Sequence, residues 1–172
     1  MGDSAAVGFG VGREEGYVAR LHARMRAEDA EARLVNLAQN GATSEDVRKD
    51  QVERALREAP SICSIFVGGN DLFRGVEPRR FARNLDAIAN RIDLVRTKVV
   101  IGTLPNLAHA PAAKLAARFL GISGAQIQTR IDAFNQGVRR VAMDHGYVLV
   151  ELFDTDLADR PSYFSADGFH PS

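Results

Sequence analysis

A serine close to the beginning of the chain and a histidine close to its end could act together as a nucleophile and its base. Ser4 lies in the sequence Gly2-Asp3-Ser4, and His170 lies in Asp167-Gly168-Phe169-His170-Pro171. A serine hydroxyl is a weak nucleophile until a neighbouring base removes its proton. Asp167 could hold the other imidazole nitrogen and stabilise the imidazolium ion. Ser4, His170 and Asp167 therefore indicate an acyl-transfer triad.

Two further motifs could supply hydrogen-bond donors for an oxyanion. Gly41 lies in Asn40-Gly41-Ala42-Thr43, and Asn70 lies in Gly68-Gly69-Asn70-Asp71. A glycine lets the backbone approach a substrate closely, so that its N–H can point at a developing negative charge. The Asn70 amide can provide a second donor, and the backbone N–H of Ser4 a third. We therefore predict an oxyanion hole formed by Ser4, Gly41 and Asn70.

Each motif taken alone also has an ordinary structural explanation. Ser4 could cap a helix, and the motifs around Gly41, Asn70 and Asp167 could simply form turns. Four ordered motifs that together supply every group needed for acyl transfer favour catalysis over coincidence. The other histidines have no carboxylate-bearing motif around them and are weaker candidates for the base: His22, His109 and His145.

Hydrophobic runs and amphipathic helical patterns alternate along the chain. Strands are predicted at residues 33–38, 62–67, 98–102 and 147–152. Helices are predicted around residues 17–25, from a Thr43–Asp46 capping box to Pro60, from Pro78 to Val95, and around residues 112–120 and 125–143. This alternation is typical of βαβ units, and thus of an α/β protein with a parallel sheet covered by helices on both faces.

The predicted strands would bring the separate motifs together. Gly41 follows the strand predicted at 33–38, Asn70 follows the strand at 62–67, and His170 follows the last strand after a longer loop. Ligands of open parallel sheets bind at the carboxyl ends of the strands. We therefore expect these residues to meet at one edge of the sheet.

Composition excludes several other classes of function. The chain of 172 residues carries 22 basic and 22 acidic side chains, so it lacks the basic excess of a nucleic-acid-binding protein. No apolar run approaches the length of a membrane span. The single cysteine, Cys63, cannot form an intramolecular disulfide and is expected to be a buried small side chain. The sequence lacks the paired Cys/His spacing of a zinc site. It also contains no signal peptide, and both a cytoplasmic and a mature secreted protein are consistent with it.

The four motifs, in this order, resemble the sequence blocks of the SGNH hydrolases, which are also called GDSL esterases and lipases. Gly2-Asp3-Ser4 resembles the first block, and residues 36–43 with Gly41 resemble the second. Gly68-Gly69-Asn70-Asp71 resembles the third, and residues 167–171 resemble the last. The resemblance implies a flavodoxin-like three-layer α/β/α sandwich with a parallel sheet. It also implies a serine esterase that hydrolyses esters of small or medium acyl groups through an acyl-enzyme, with no cofactor and no metal.

The same resemblance leaves the substrate open. A carbohydrate O-deacetylase and a lysophospholipase are the alternatives within the family, and a non-catalytic remnant that binds a ligand or partner is the alternative outside it. Phe73 and Leu107 would suit an acyl chain, and Arg74 an anionic group. The expected partner is a small-molecule ester, with no nucleic acid and no membrane span, and the oligomeric state is open. We expect one domain over residues 1–172, trimmed at both ends, because the family normally has a strand before the first block and a helix after the last.

Overall fold

A parallel sheet forms the centre of the molecule. The computed structural model describes residues 1–12, 14–92, 94–153, 155, 160–168 and 170. In this part of the chain, three strands lie in the order β1 (Ile62–Ile65), β2 (Lys98–Gly102) and β3 (Val148–Val150). Both neighbouring pairs are parallel, with Ile62 opposite Lys98 and Val100 opposite Val148. The predicted parallel α/β architecture is therefore confirmed.

Helices connect and flank these strands. They are α1 (Ser4–Val7), α2 (Tyr17–Glu28), α3 (Ser44–Asp46), α4 (Val52–Arg57), α5 (Gly69–Phe73), α6 (Pro78–Ala89), α7 (Pro111–Leu120) and α8 (Gly124–Asp144). A π-helical segment, Val47–Gln51, joins α3 to α4, and short 3₁₀ turns occupy Leu107–His109 and Pro161–Tyr163. Among the described helices, none is at once long enough and apolar enough to cross a bilayer.

The helix starts follow from local sequence chemistry. Thr43 and Asp46 form the predicted capping box at α3, and Ser123 and Gln126 form another at α8. Pro78 occupies the first turn of α6, as predicted. That helix was expected to reach Val95, but it ends at Ala89 and Val95 is 95% exposed. The apolar spacing continues past the helix because Ile92, in the following turn, still packs against the core.

The core lies between the sheet and the pair α6 and α8. Phe81 and Phe134, which are both fully buried, stack with ring centroids 4.7 Å apart. Val99 and Ile101 of β2 belong to the same buried cluster. Truncating a buried phenylalanine to alanine typically costs about 3–5 kcal/mol of stability, so this contact is a major support of the scaffold.

The strand predicted at residues 33–38 is not formed. Residues 32–39 form no regular secondary structure, and Leu34 and Val35 are more than two-fifths exposed. A strand needs a neighbour that offers a ladder of hydrogen bonds. The segment is linked to Gly2, whose carbonyl accepts a hydrogen bond from the N–H of Gln39 and which itself forms an isolated bridge to Phe66. Among the described residues, the apolar run therefore lacks the ladder of hydrogen bonds that a strand needs.

Candidate active site

Ser4 is positioned by a sharp turn at the carboxyl end of β1. Gly2 has a φ of +154°, and a Cβ there would collide with the carbonyl oxygen of Phe66. Only glycine fits so close to the strand. Asp3 follows and caps α1 by accepting a hydrogen bond of 3.1 Å from the N–H of Ala5. The helix cap is therefore Asp3, and the hydroxyl of Ser4, the first residue of α1, serves another contact.

That contact is with His170. Ser4 Oγ lies 2.7 Å from His170 Nε2, and His170 Nδ1 lies 2.5 Å from Asp167 Oδ2. An ionised carboxylate only accepts hydrogen bonds, so the Asp167 contact favours the tautomer with the proton on Nδ1, in which Nε2 can accept the serine proton. Asp167 also accepts the backbone N–H of His170 at 3.0 Å. The structure thus brings together the three residues predicted to form the triad.

The loop that carries His170 is held by hydrogen bonds of its own. Ser165 Oγ donates to Asp167 Oδ1 at 2.9 Å, and the N–H of Ser165 donates to the His170 carbonyl at 2.8 Å. The loop is attached to α7, because the N–H of Ala112 donates to the Gly168 carbonyl at 3.1 Å. These bonds fix the aspartate and the histidine relative to each other and to the helix that borders the site.

Gly41 and Asn70 face Ser4 from the loops that follow residues 33–38 and β1. Gly41 has a φ of +77°, and its carbonyl accepts a hydrogen bond of 2.9 Å from the guanidinium of Arg74. Asn70 lies in the first turn of α5, where its amide nitrogen donates to the Ala42 carbonyl at 3.0 Å. A side-chain amide carries two hydrogens, so Asn70 can span the two loops and still offer one donor to the cleft.

A buried polar network fixes these two loops to each other. Asp71, which is 1% exposed, accepts the N–H of Ser44 at 2.8 Å and its hydroxyl at 2.6 Å. Asn84 of α6 donates to the same hydroxyl at 2.9 Å. Burial raises the pKa of the Asp71 carboxyl. The sequence analysis did not identify Asp71 and Ser44 as residues that hold the two loops together. Asp71 is the last residue of the motif that contains Asn70, and Ser44 directly follows the motif that contains Gly41.

Asp3 is a second acid beside the nucleophile. It is 5% exposed. Burial raises the pKa of its carboxyl to about 6, although the hydrogen bond from Ala5, the nearby charge of His170 and a backbone hydrogen bond from Gly68 each lower it. The cap of α1 is therefore a carboxyl group whose ionisation is costly and falls close to neutral pH.

The triad opens into a cleft of about 490 Å³. Its walls are formed by Ser4, Phe9, Asn40, Gly41, Asn70, Phe73, Ala112 and His170. Of the three side chains predicted to bind substrate, Phe73 lines the cleft and Arg74 holds the Gly41 carbonyl. Leu107 is 7% exposed and belongs to the hydrophobic core instead. Sequence reasoning missed Phe9, Asn40 and Ala112, of which only Asn40 adjoins a recognised motif residue.

Comparisons with known proteins agree with this geometry. The family model described as "GDSL-like Lipase/Acylhydrolase family" matches residues 1–172. Esterase TesA of Pseudomonas aeruginosa is 27% identical over 172 residues, which are all of this chain and 78% of that protein.

Two solved structures illustrate the likeness in three dimensions. A crystal structure of TesA superposes with a TM-score of 0.74 at 28% identity, covering 99% of this chain and 86% of that one. The lipase/acylhydrolase from Enterococcus faecalis superposes with a TM-score of 0.76 at 25% identity, covering 99% of this chain and 84% of that one.

Proposed function

The chain belongs to the GDSL-like lipase/acylhydrolase family, as its four motifs predicted, and from this premise we propose that Ser4, His170 and Asp167 are its catalytic triad. It is a serine esterase, a hydrolase of carboxylic esters. We propose small or medium acyl groups as its substrates and an acyl-enzyme as its intermediate.

One observation carries the assignment of the triad. Ser4 and His170 are 166 residues apart in sequence, yet Oγ and Nε2 approach to 2.7 Å while Asp167 occupies the opposite ring nitrogen. A nucleophile in contact with a base that a third group orients is the arrangement by which serine hydrolases are recognised on unrelated folds. Gly41 and Asn70 line the same cleft, where donors to an oxyanion are needed.

The mechanism assigns one task to each group. Ser4 Oγ attacks the carbonyl carbon of the ester as its proton passes to His170 Nε2, and Asp167 stabilises the imidazolium ion. The backbone N–H groups of Ser4 and Gly41 and the amide of Asn70 bind the oxyanion of the tetrahedral intermediate. The bond to the alcohol oxygen then breaks, and His170 protonates that oxygen.

Water releases the acyl group in the second half of the cycle. His170 Nε2 accepts a proton from water as the water oxygen attacks the acyl carbon. The bond from that carbon to Ser4 Oγ breaks, and the serine recovers its proton from the imidazolium ion. The carboxylic acid leaves, so that the net reaction is ester plus water giving acid plus alcohol.

The cleft walls support an acyl chain as the group that is recognised. Phe9, Phe73 and Ala112 are apolar and lie beside the nucleophile. Arg74 would be the cation for an anionic headgroup, but its guanidinium donates to the Gly41 carbonyl. The apolar walls favour an ester of a short or medium fatty acid over an acetylated sugar.

The test is hydrolysis of p-nitrophenyl esters of increasing chain length, alongside lysophospholipids and acetylated sugars. Ser4→Ala should lower turnover by about a million-fold, because a serine nucleophile and its base act as a unit. Ser61→Ala is the matched control, since Ser61 precedes β1 at the opposite end of the strand and is exposed. Substantial activity in Ser4→Ala would show that the nucleophile is assigned wrongly.

A further inference from the structure

We propose that Phe9 is a positioning residue for His170, and that an acyl group bound against Phe9 steadies the imidazole, so that chain length affects turnover as well as binding. This inference rests on the proposed function, because it assumes that His170 is the base. The ring centroids of Phe9 and His170 lie 4.6 Å apart, with an interplanar angle of 53°. Aromatic pairs at such distances attract one another through their faces and edges.

Phe9 is rigidly tied to the nucleophile. Gly8 ends α1 in a left-handed conformation, and the N–H of Phe9 donates to the Ser4 carbonyl at 3.0 Å. The ring that touches the base is therefore carried by the same turn as the serine. A shift of His170 relative to Ser4 would therefore also alter its contact with Phe9.

The segment Gly8-Phe9-Gly10 also fits closely against the histidine loop. Gly10 has a φ of +90°, and a Cβ there would lie 2.7 Å from Ser165 Oγ and 3.6 Å from His170 Cβ. Only glycine allows this approach without displacing the loop. Ser165 in turn donates to Asp167, so the segment supports both the base and the acid that orients it.

Phe9 packs against the His170 ring and so supports it in a way that the hydrogen bonds of the triad do not. Asp167 and Ser4 each hold one edge of the imidazole, at Nδ1 and at Nε2. Both bonds act at the ring nitrogens, and what packs against the ring further limits its tilt. A side chain packed at 4.6 Å from the ring centre restricts that tilt. Small errors in the placement of a reacting group can cost about 100-fold in rate.

The same side chain meets the substrate. Phe9 lines the cleft and is 45% exposed, so it has surface left for an acyl chain to cover. An acetyl group offers one methyl group, whereas a hexanoyl group can extend along the ring. Binding energy that is used to fix the catalytic geometry raises kcat rather than lowering KM. Turnover should therefore depend on chain length through Phe9.

The experiment compares kcat and KM of Phe9→Ala, Phe9→Leu and Phe9→Tyr with p-nitrophenyl acetate and hexanoate. Phe9→Ala should lower kcat on acetate by about 10- to 100-fold with less than about a three-fold change in KM, while Phe9→Tyr should retain kcat within about two-fold because it keeps the ring. In Phe9→Ala the hexanoate advantage in kcat should disappear. Phe73→Ala is the control, because Phe73 lines the same cleft and is similarly exposed, and it should act mainly on KM for hexanoate.

A second readout separates positioning from loss of a cleft wall. The rate at which a small fluorophosphonate labels Ser4 should fall in Phe9→Ala in the same proportion as kcat, since it also depends on the base. An unchanged kcat on acetate with only a raised KM for hexanoate would overturn the proposal and leave Phe9 as a wall.

Folding failure of the alanine variant would not end the test. Phe9→Leu fills most of the same volume, and it should have a kcat about ten-fold below that of Phe9→Tyr, because the aromatic contact is lost. Equal kcat values for these two variants would overturn the proposal. Failure of the proposed function is recognised separately, as Ser4→Ala would then keep its activity whatever Phe9 does.

Discussion

Asp3→Asn should make the protein more stable at neutral pH and leave it unchanged in mild acid. Asp3 caps α1 and is 5% exposed, and burial raises the pKa of its carboxyl from the ordinary 3.8 to about 6. Between these values the folded protein holds a proton that the unfolded chain has lost. The free energy of unfolding therefore falls as pH rises through this range.

The magnitude follows from the two values. The gap between 3.8 and about 6 corresponds to about 3 kcal/mol at 1.36 kcal/mol for each pKa unit. Asparagine stays neutral, and as a helix cap it is about as good as aspartate, so the bond from Ala5 keeps its acceptor. The variant should exceed the wild type by up to about 3 kcal/mol at pH 7.5, or about 6–12 °C in Tm for a chain of this size. Below about pH 4 the two should be alike.

Thermal melts of both proteins at pH 4 and pH 7.5 measure this difference. Asp46→Asn is the control, because hydrogen bonds from the side chain and backbone of Thr43 lower the pKa of that carboxyl. Its stabilisation is complete above the ordinary value and is lost only as pH falls through the lowered pKa. Asp46→Asn should therefore be destabilised to a similar extent at both pH values. An Asp3→Asn variant that is no more stable than the wild type at pH 7.5 would show that ionisation of the buried Asp3 carboxyl does not cost stability.

The remaining predictions concern catalysis. Asn70→Ala should lower turnover by about 100- to 1,000-fold with a smaller effect on KM, because an oxyanion donor acts mainly in the transition state; weakened binding at unchanged turnover would make Asn70 a substrate-binding residue. EDTA should leave turnover unchanged, because every role in the mechanism belongs to a protein group, and loss of activity that zinc or manganese restores would contradict this.

Local chemistry made much of the fold predictable. Thr43 with Asp46 and Pro78 mark helix starts wherever the rest of the chain lies, and the strand at 98–102 was predicted with its observed bounds. The strand at residues 33–38 failed because a strand exists only where a neighbour pairs with it. The sequence around Gly2 does not tell whether its backbone will form one hydrogen bond to residues 33–38 or a full ladder, because this depends on how the sheet assembles.

In the candidate site too, features set by local sequence were predicted, and features set by contacts between distant residues were not. The four motifs predicted the residues that lie around Ser4 in the structure, because the residue types in each motif indicate its chemical role. Nothing in the sequence around Phe9 indicates a role in the site, because that role arises from contact with a loop more than 150 residues away. Arg74 was assigned to substrate from its charge alone, and its hydrogen bond to the Gly41 carbonyl was not predicted, because that bond depends on the turn that follows α5. Leu107 was assigned to the cleft from its place in a loop, yet that loop turns into the core.

Covalent labelling with a fluorophosphonate is the sharpest test of Ser4 as the activated nucleophile. The reagent loses fluoride to an activated serine, and mass spectrometry of the digested protein locates the phosphonyl group. We expect one modified peptide, the one that contains Ser4, and no label in Ser4→Ala or His170→Ala. Labelling of a different serine, or ester hydrolysis without any labelling of Ser4, would contradict this expectation.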